Sequence, residues 1–471
     1  MATPGASPNR GLPLPVVNAD ILRFRLRNGH QTMRQRPFYN IVGRLTDVGP
    51  AGLRSTLGQV AVGEVCRLRD RRHNLETLAI VVALRDGQAL LAPIGPTEGL
   101  SAQTEVIPTF GPLSFPCGPG LIGSVLDGLG NPLDGHSHSA RTGMLDRALT
   151  PRVPNPVSRP VIDQMAITGI KAIDGLLSIG VGQRIALLGP PGAGKSSLIG
   201  ALARNMKADL CVLALIGERG RELREFLDRE LPPEFRERCI VVASTSDRPA
   251  MERVIGAHIA TAIAEYFRER GHHVALMFDS VTRFARALRE VGLASGEQPV
   301  RRGFTPSVYS ELPRLIERSG RDPAGSITAF YTVLLENEGL NDPIAEEVVS
   351  LTDGHLVLTP KLAQAGHYPA LDILRSTSRV MNGIVSKTHL ETAQNIRRLM
   401  ARYEEIELLV QVGEFQAGRD PEADFALARH KQIQAFLRQG RFDQIDLQAT
   451  LQEMTGLVTP DMTMAGTTHG G

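Results

Sequence analysis

Gly189-Pro190-Pro191-Gly192-Ala193-Gly194-Lys195-Ser196 decides the fold of this 471-residue chain. The stretch fits GxxxxGK[ST] in full. It is flanked as that pattern requires, by the apolar run RIALL (184–188) before it and the helical SSLIGALARNM (196–206) after it. Glycines let successive backbone N–H groups turn inward around phosphate oxygens, which a Cβ would obstruct. The N-terminus of the following helix adds a favourable dipole. Residues 189–197, ending with Ser197, are therefore expected to cradle a nucleotide. Lys195 should reach the β- and γ-phosphates of ATP, and Ser196 should ligate Mg²⁺.

Working outward, further apolar runs recur at 210–216 (LCVLALI), 239–244 (CIVVAS), 273–279 (HVALMFD) and 326–335 (SITAFYTVLL). Helical patterns separate the earlier ones. That alternation predicts an α/β architecture with a largely parallel sheet covered on both faces. Asp279 ends one run and Glu218 follows another. Both are thus expected at the sheet edge where ligands of such folds bind. Asp279 is the candidate for holding Mg²⁺ through its water shell, while a helix N-cap remains its other reading because DSVTRFARAL follows. Glu218 is the candidate for polarising the water that attacks the γ-phosphate, and its other reading is a surface carboxylate at a charged helix start.

The α/β block, with a turn-rich connector at 121–135, is assigned to 106–385. Before it, residues 37–105 carry short Val-, Leu- and Ile-rich runs broken by Gly and Asp, which predict a small β-barrel. Residues 1–36 are read as a flexible arm. Its Ile21–Arg27 stretch alternates apolar residues with arginine and reads either as a surface element or as a docking segment. Residues 386–455 lose the strand pattern and read as helical, and 456–471 as a flexible tail.

Composition excludes several classes. Charged residues are 22% and hydrophobic ones 42%, which fits a globular chain. No apolar run is long enough to span a bilayer, and MATPGASPNR carries no secretory signal, so the expected location is the cytoplasm. The four cysteines form no CxxC pair. A net charge of +2, with no Trp, gives no reason to expect nucleic acid.

Longer blocks in order carry a resemblance. They include LDGLGNPLDG (126–135), GIKAIDGLLSIGVGQR (169–184), STSDRPAMER (244–253), RRGFTPSVYSELPRLIERSG (301–320) and HYPALDILRSTSRVMNGIVSK (367–387). From about 37 to 455 the chain resembles the catalytic subunits of rotary ATP synthases. It looks more closely like the type III secretion ATPases of the injectisome branch, with the flagellar export branch as the near alternative. The resemblance implies a RecA-like P-loop ATPase core between an N-terminal small β-barrel and a C-terminal helical domain, working as a homohexamer with active sites between neighbours. Glu218 falls on the family's water-activating carboxylate, where the non-catalytic synthase subunit has Gln. Arg219 matches an arginine near the γ-phosphate, and Arg379 in STSRV an arginine finger acting on the neighbour's nucleotide. Tyr368 in HYPALD matches the aromatic that packs on adenine. From the residue types alone, a structural ion pair for Arg379 and a core tyrosine for Tyr368 stay open.

The implied partners are a stator-like regulator, a coiled-coil central stalk, export chaperone–cargo complexes and a membrane export gate. The implied location is peripheral to the inner face of the membrane at the secretion apparatus. The segment 296–307 is a candidate pore-lining loop or an ordinary surface loop. Two departures stand out: Pro190 and Pro191 replace the small residues usual in the family, and LLENEGLNDPIAEE (334–347) differs from the commoner wording. An RNA-translocating hexamer like the Rho terminator shares the core, but 37–105 offers only Phe38 and Tyr39 as stacking aromatics.

Overall fold

A computed structural model describes residues 41–49, 52–133, 143–149, 153–336 and 342–459. The arm assigned to 1–36, with Ile21–Arg27, lies outside these, as do Phe38, Tyr39, residues 337–341 of the departing loop and 460–471 of the tail. The first described element is a closed barrel. Its strands β1 (Gly43–Gly49), β2 (Gly52–Ser55), β3 (Val65–Asp70), β4 (Leu75–Arg85), β5 (Gln88–Pro93) and β6 (Glu105–Pro108) run in the order β1-β2-β5-β4-β3-β6. Alternation along the strands sends Leu45, Leu53, Leu68, Val81 and Val106 inward to fill it. Strand β6 carries the barrel to Pro108, past residue 105.

The centre of the molecule is a nine-stranded sheet. Its main path uses β7 (Val125–Asp127), β8 (Arg184–Gly189), β9 (Leu210–Ile216), β10 (Cys239–Ser244), β11 (His273–Asp279), β12 (Ser326–Leu334), β13 (Gly354–Leu358) and β14 (Leu371–Ser378). The spatial order is β14-β13-β8-β12-β11-β9-β10-β7, with Gly320–Arg321 pairing onto β12. Every pair on the path is parallel except β13 with β14. Every residue of β9 is buried, as a strand covered on both faces demands. Strand β7 lies inside the stretch read from sequence as a turn-rich connector. Three residues are too few to show a period, and pairing with β10 alone makes them a strand.

Two helix layers cover the sheet. On one face lie α4 (Ala250–Arg268), α5 (Val281–Ala294), α6 (Pro306–Ile316) and α7 (Pro343–Leu351), which bury Ile259, Phe284, Leu312 and Val348. On the other face lie α1 (Lys171–Leu176), α2 (Lys195–Asn205) and α3 (Gly220–Arg229). Beyond them are the C-terminal helices α8 (Lys387–Gln411), α9 (Pro421–Leu437) and α10 (Leu447–Val458), whose Ile396, Ile433, Phe436 and Met454 join the same core as Ile199 and Leu202 of α2. The helical region is thus packed onto the face that carries the glycine-rich loop. Among the described residues no helix is long and apolar enough to cross a membrane.

Candidate active site

Parallel strands deliver their C-terminal ends to one edge, so Gly189, Glu218 and Asp279 meet there although the chain separates them widely. After β8 the backbone turns through Gly192 (φ 78°) and Gly194 (φ 89°), left-handed values that a side chain disfavours. Lys195 then starts α2. Its ammonium folds back onto the loop and donates to the carbonyls of Gly189 and Pro190, each at 2.7 Å. Pro190 lacks an N–H, but its carbonyl takes part in seating the lysine. Burial pushes Lys195 down to about 8, against the opposing pull of the Asp279 and Glu218 carboxylates.

Asp279 ends β11 and is buried. Its Oδ1 accepts from Thr332 Oγ1 at 2.6 Å, and burial holds the carboxyl above its ordinary range. The N-cap of α5 is Ser280, whose Oγ accepts from the Arg283 N–H at 3.4 Å, so capping is not the work of Asp279. Glu218 sits on the Arg283 guanidinium (Nη1 to Oε2 2.5 Å), and the same Nη1 donates to the Gly217 carbonyl at 2.7 Å. Gly217 has φ 76°, and a Cβ there would meet the Arg283 Cβ at 2.9 Å, so this close approach requires glycine. Glu218 is pushed up to about 8, first by burial, then by the Asp279 charge and a hydrogen bond with Glu222, with Arg283 opposing. Glu222 is correspondingly held low by that same hydrogen bond.

Two cavities flank the loop. One, of about 290 Å³, is lined by Ser196, Glu218, Glu222, Asp279, Glu230 and Arg441. The other, of about 570 Å³, is lined by Gly194, Ser197, Tyr368, Pro369, Gln439 and Arg441. The first is polar and ringed by carboxylates. The second is wider, and the half-exposed Tyr368 ring stands against Gly194 in its wall, which removes the core reading of that tyrosine.

Lys195, Ser196, Glu218 and Asp279 therefore come together, with Tyr368 beside them. Arg219 borders the group: its side chain is 79% exposed and lies 3.9 Å from Glu222. Arg379 is elsewhere. Strand β14 runs antiparallel to β13, with Ser378 opposite Gly354, and the Arg379 N–H donates to the Asp353 carbonyl beside Arg184 at the start of β8. The length of β8 separates that end from Gly189, roughly 17 Å at about 3.3 Å per residue. The Arg379 guanidinium meets only the Val349 carbonyl, at 3.4 Å, among the described residues, and forms no ion pair there. Sequence reasoning had not singled out Arg283, Glu222, Thr332 or Arg441. Arg283 stood within a quoted block, but Arg441 lies in an ordinary-looking loop 211 positions beyond Glu230.

A glycine-rich phosphate loop between a parallel strand and a helix, with two carboxylates at the same sheet edge, defines a P-loop nucleoside triphosphatase. The ATP synthase alpha/beta family matches through its nucleotide-binding domain at 169–378 and its beta-barrel domain at 40–109, and the T3SS EscN ATPase C-terminal domain matches 385–456. The type 3 secretion system ATPase of Sinorhizobium fredii is 48% identical over 88% of this chain and 92% of its own. The flagellum-specific ATP synthase of Treponema pallidum is 42% identical over 90% and 95%. Among solved structures, the assembled ATPase EscN of enteropathogenic E. coli in complex with its central stalk EscO superposes with a TM-score of 0.82 at 43% identity, covering 88% of this chain and all of that one. The chain belongs to the type 3 secretion system ATPase family, and it hydrolyses ATP.

Proposed function

We propose that this ATPase works as a homohexameric ring energising type III protein export, with each hydrolytic centre built by two neighbouring subunits. The observation that carries the reading is the separation just described: cradle and carboxylates converge at one sheet edge, while Arg379 waits at the other, which a neighbour's cradle can approach. One subunit supplies Gly189–Ser197, the neighbour supplies Arg379. Tyr368 packs on adenine in the wider cavity, and the phosphate chain runs past Gly194 towards the carboxylate-lined cavity. Lys195 exchanges its two loop carbonyls for β- and γ-phosphate oxygens. Glu218, once deprotonated, accepts a proton from the attacking water, with Arg283 holding its carboxylate in place. Arg219 and the neighbour's Arg379 neutralise charge that develops on the γ-phosphoryl group, an effect of about 10³–10⁵ in rate for such fingers.

The donor set suits Mg²⁺. Ser196 and Asp279 offer hard oxygen ligands in the carboxylate-lined cavity, and among the described residues no three acidic, His or Cys side chains cage a metal by themselves, as befits an ion that draws most of its ligands from phosphate and water. Bound there, Mg²⁺ would neutralise phosphate charge.

The ring would bind a coiled-coil stalk in its pore, with 296–307 lining it, and a stator-like regulator at the N-terminal arm. Chaperone–cargo complexes would meet the C-terminal helices. The ring would release and help unfold cargo and hand it to an export gate, peripheral to the inner face of the membrane. Flagellar export would use the same chemistry. The Rho-like alternative requires RNA to stimulate hydrolysis, and we expect added RNA to leave the rate unchanged.

Complementation tests the shared centre. Lys195→Ala and Arg379→Ala should each lose hydrolysis. An equimolar mixture, reassembled together, should recover about a quarter of wild-type interfaces, because one pairing in four joins an intact cradle to an intact finger. A mixture as inactive as its components would sink the model.

A further inference from the structure

Glu230 follows the last turn of α3, the helix that begins just after Glu218 and Arg219. Its carboxylate is buried and receives donors from three directions. Ser197 Oγ donates to Oε1 at 3.1 Å from the phosphate loop's own helix. Arg204 Nη1, further along α2, stands 3.3 Å from Oε2. Arg441, from the segment joining α9 to α10, places Nη2 2.5 Å from Oε1 and Nε 3.1 Å from Oε2. The C-terminal helical region is thereby tied to both the cradle helix and the helix that follows the catalytic carboxylate. Arg204 Nη2 reinforces the tie by donating to the Arg441 carbonyl at 2.7 Å.

Two features give this cluster more than a structural role. Within the cluster one carboxylate faces two guanidiniums, so Glu230 does not cancel both charges. Arg441 also lines both cavities, standing where a chain of phosphates would pass from the Tyr368 side to the Asp279 side. Glu230 occupies Nε and Nη2, so among the described residues Nη1 is the Arg441 nitrogen without a protein partner. A guanidinium fixed on one edge by a carboxylate is pre-organised to offer its other edge to an anion.

We propose that Arg441 is a phosphate-binding residue that contacts the nucleotide's phosphate chain within its own subunit while staying tied to Glu230. Nucleotide occupancy then clamps the C-terminal helices onto the cradle helix. An empty site leaves the clamp resting on its contacts with Glu230 and Arg204. This rests on the nucleotide site proposed above and adds a route by which that site communicates with the helical region.

The test uses the full chain with Arg441→Gln, Arg441→Lys and Lys195→Ala. Binding of adenosine, ADP and ATP is measured by calorimetry, and hydrogen exchange over residues 421–458 with and without Mg·ATP. Loss of one charge-assisted contact should weaken ADP and ATP about tenfold in Arg441→Gln, leave adenosine unchanged, and be partly restored by lysine. ATP should slow exchange in α9 and α10 of the wild type and not in Arg441→Gln. Equal weakening of adenosine and ATP would reduce Arg441 to a wall of the base pocket, and unchanged ATP-dependent protection would remove the clamp. Either result overturns the proposal. If Arg441→Gln does not fold, the lysine variant carries the same comparison, a guanidinium fork against a point charge. Hydrolysis surviving in Lys195→Ala would instead overturn the nucleotide site itself, so the two failures are told apart.

Discussion

Glu218 and Lys195 share a site and are driven towards each other's titration range, the glutamate up to about 8 and the lysine down to about 8. The roles proposed for them need opposite states. Glu218 accepts a proton only when ionised, so its competent fraction rises with pH through its raised value; Lys195 binds phosphate only as a cation, so its competent fraction falls as pH rises. We therefore predict that kcat/KM for ATP is a narrow bell centred near pH 8, with limbs belonging to the pair rather than to either residue. With ATP bound, phosphate charge favours the protonated lysine, and the alkaline limb of kcat should lie higher than that of kcat/KM. Glu222 separates the contributions. Its hydrogen bond favours protonated Glu218, so Glu222→Ala should move the acid limb to lower pH without restoring an ordinary glutamate, because burial remains the larger cause. An acid limb that does not move in this variant, measured as kcat/KM from pH 6 to 10, contradicts the assignment of Glu218 as the titrating base.

At the scale of elements, α4 is anchored by charge inside the core. The buried Arg318 follows α6 and makes paired bonds of 2.8 Å to both oxygens of Glu265 on α4, while its Nη1 donates to His258 Nδ1 at 3.1 Å. Removing one partner strands the other, so Glu265→Ala should cost about 3–5 kcal/mol, and Glu265→Gln less because an acceptor remains. Thermal denaturation of the three proteins side by side checks the order. Burial and Arg318 push His258 down to about 3, so the native ring stays neutral where the unfolded one would titrate near 6.5. The native state thus binds fewer protons between those values. The contribution is present above pH 6.5 and lost as pH falls towards 3, and His258→Gln should flatten that loss.

None of this network was legible in the sequence, because an arginine and a glutamate 53 positions apart carry no pattern that says they meet. What was legible had a local signature. The cradle has its glycines and its flanking strand, Asp279 and Glu218 each close an apolar run, and the barrel and C-terminal helices follow their periods. Strands β7, β13 and β14 escaped, being short or half-polar and defined only by their neighbours. Arg283 and Arg441 escaped because their meaning depends on which strand ends and loops fold to one place.

Across the whole molecule, the parallel sheet sets the rule that one edge gathers the glycine-rich loop and its two carboxylates and the other carries Arg379. A chain with complementary groups at opposite ends completes itself only by head-to-tail contact, and such contacts close into rings when the rotation between copies permits. On the proposed shared centre, catalysis by one copy would be limited by the missing cation, not by nucleotide binding, since Lys195, Ser196 and Tyr368 are all its own. This separates two measurements that would otherwise move together. Specific ATPase activity should rise steeply with protein concentration as interfaces form, while ATP affinity measured by calorimetry should change little over the same range. Arg379→Lys sharpens the argument: a point charge in place of a planar fork keeps the electrostatics but loses paired hydrogen bonding, so activity should fall substantially with binding intact. Sedimentation run in parallel identifies the concentration at which rings form. Full specific activity well below that concentration would mean that each copy holds a complete centre and that Arg379 has another purpose.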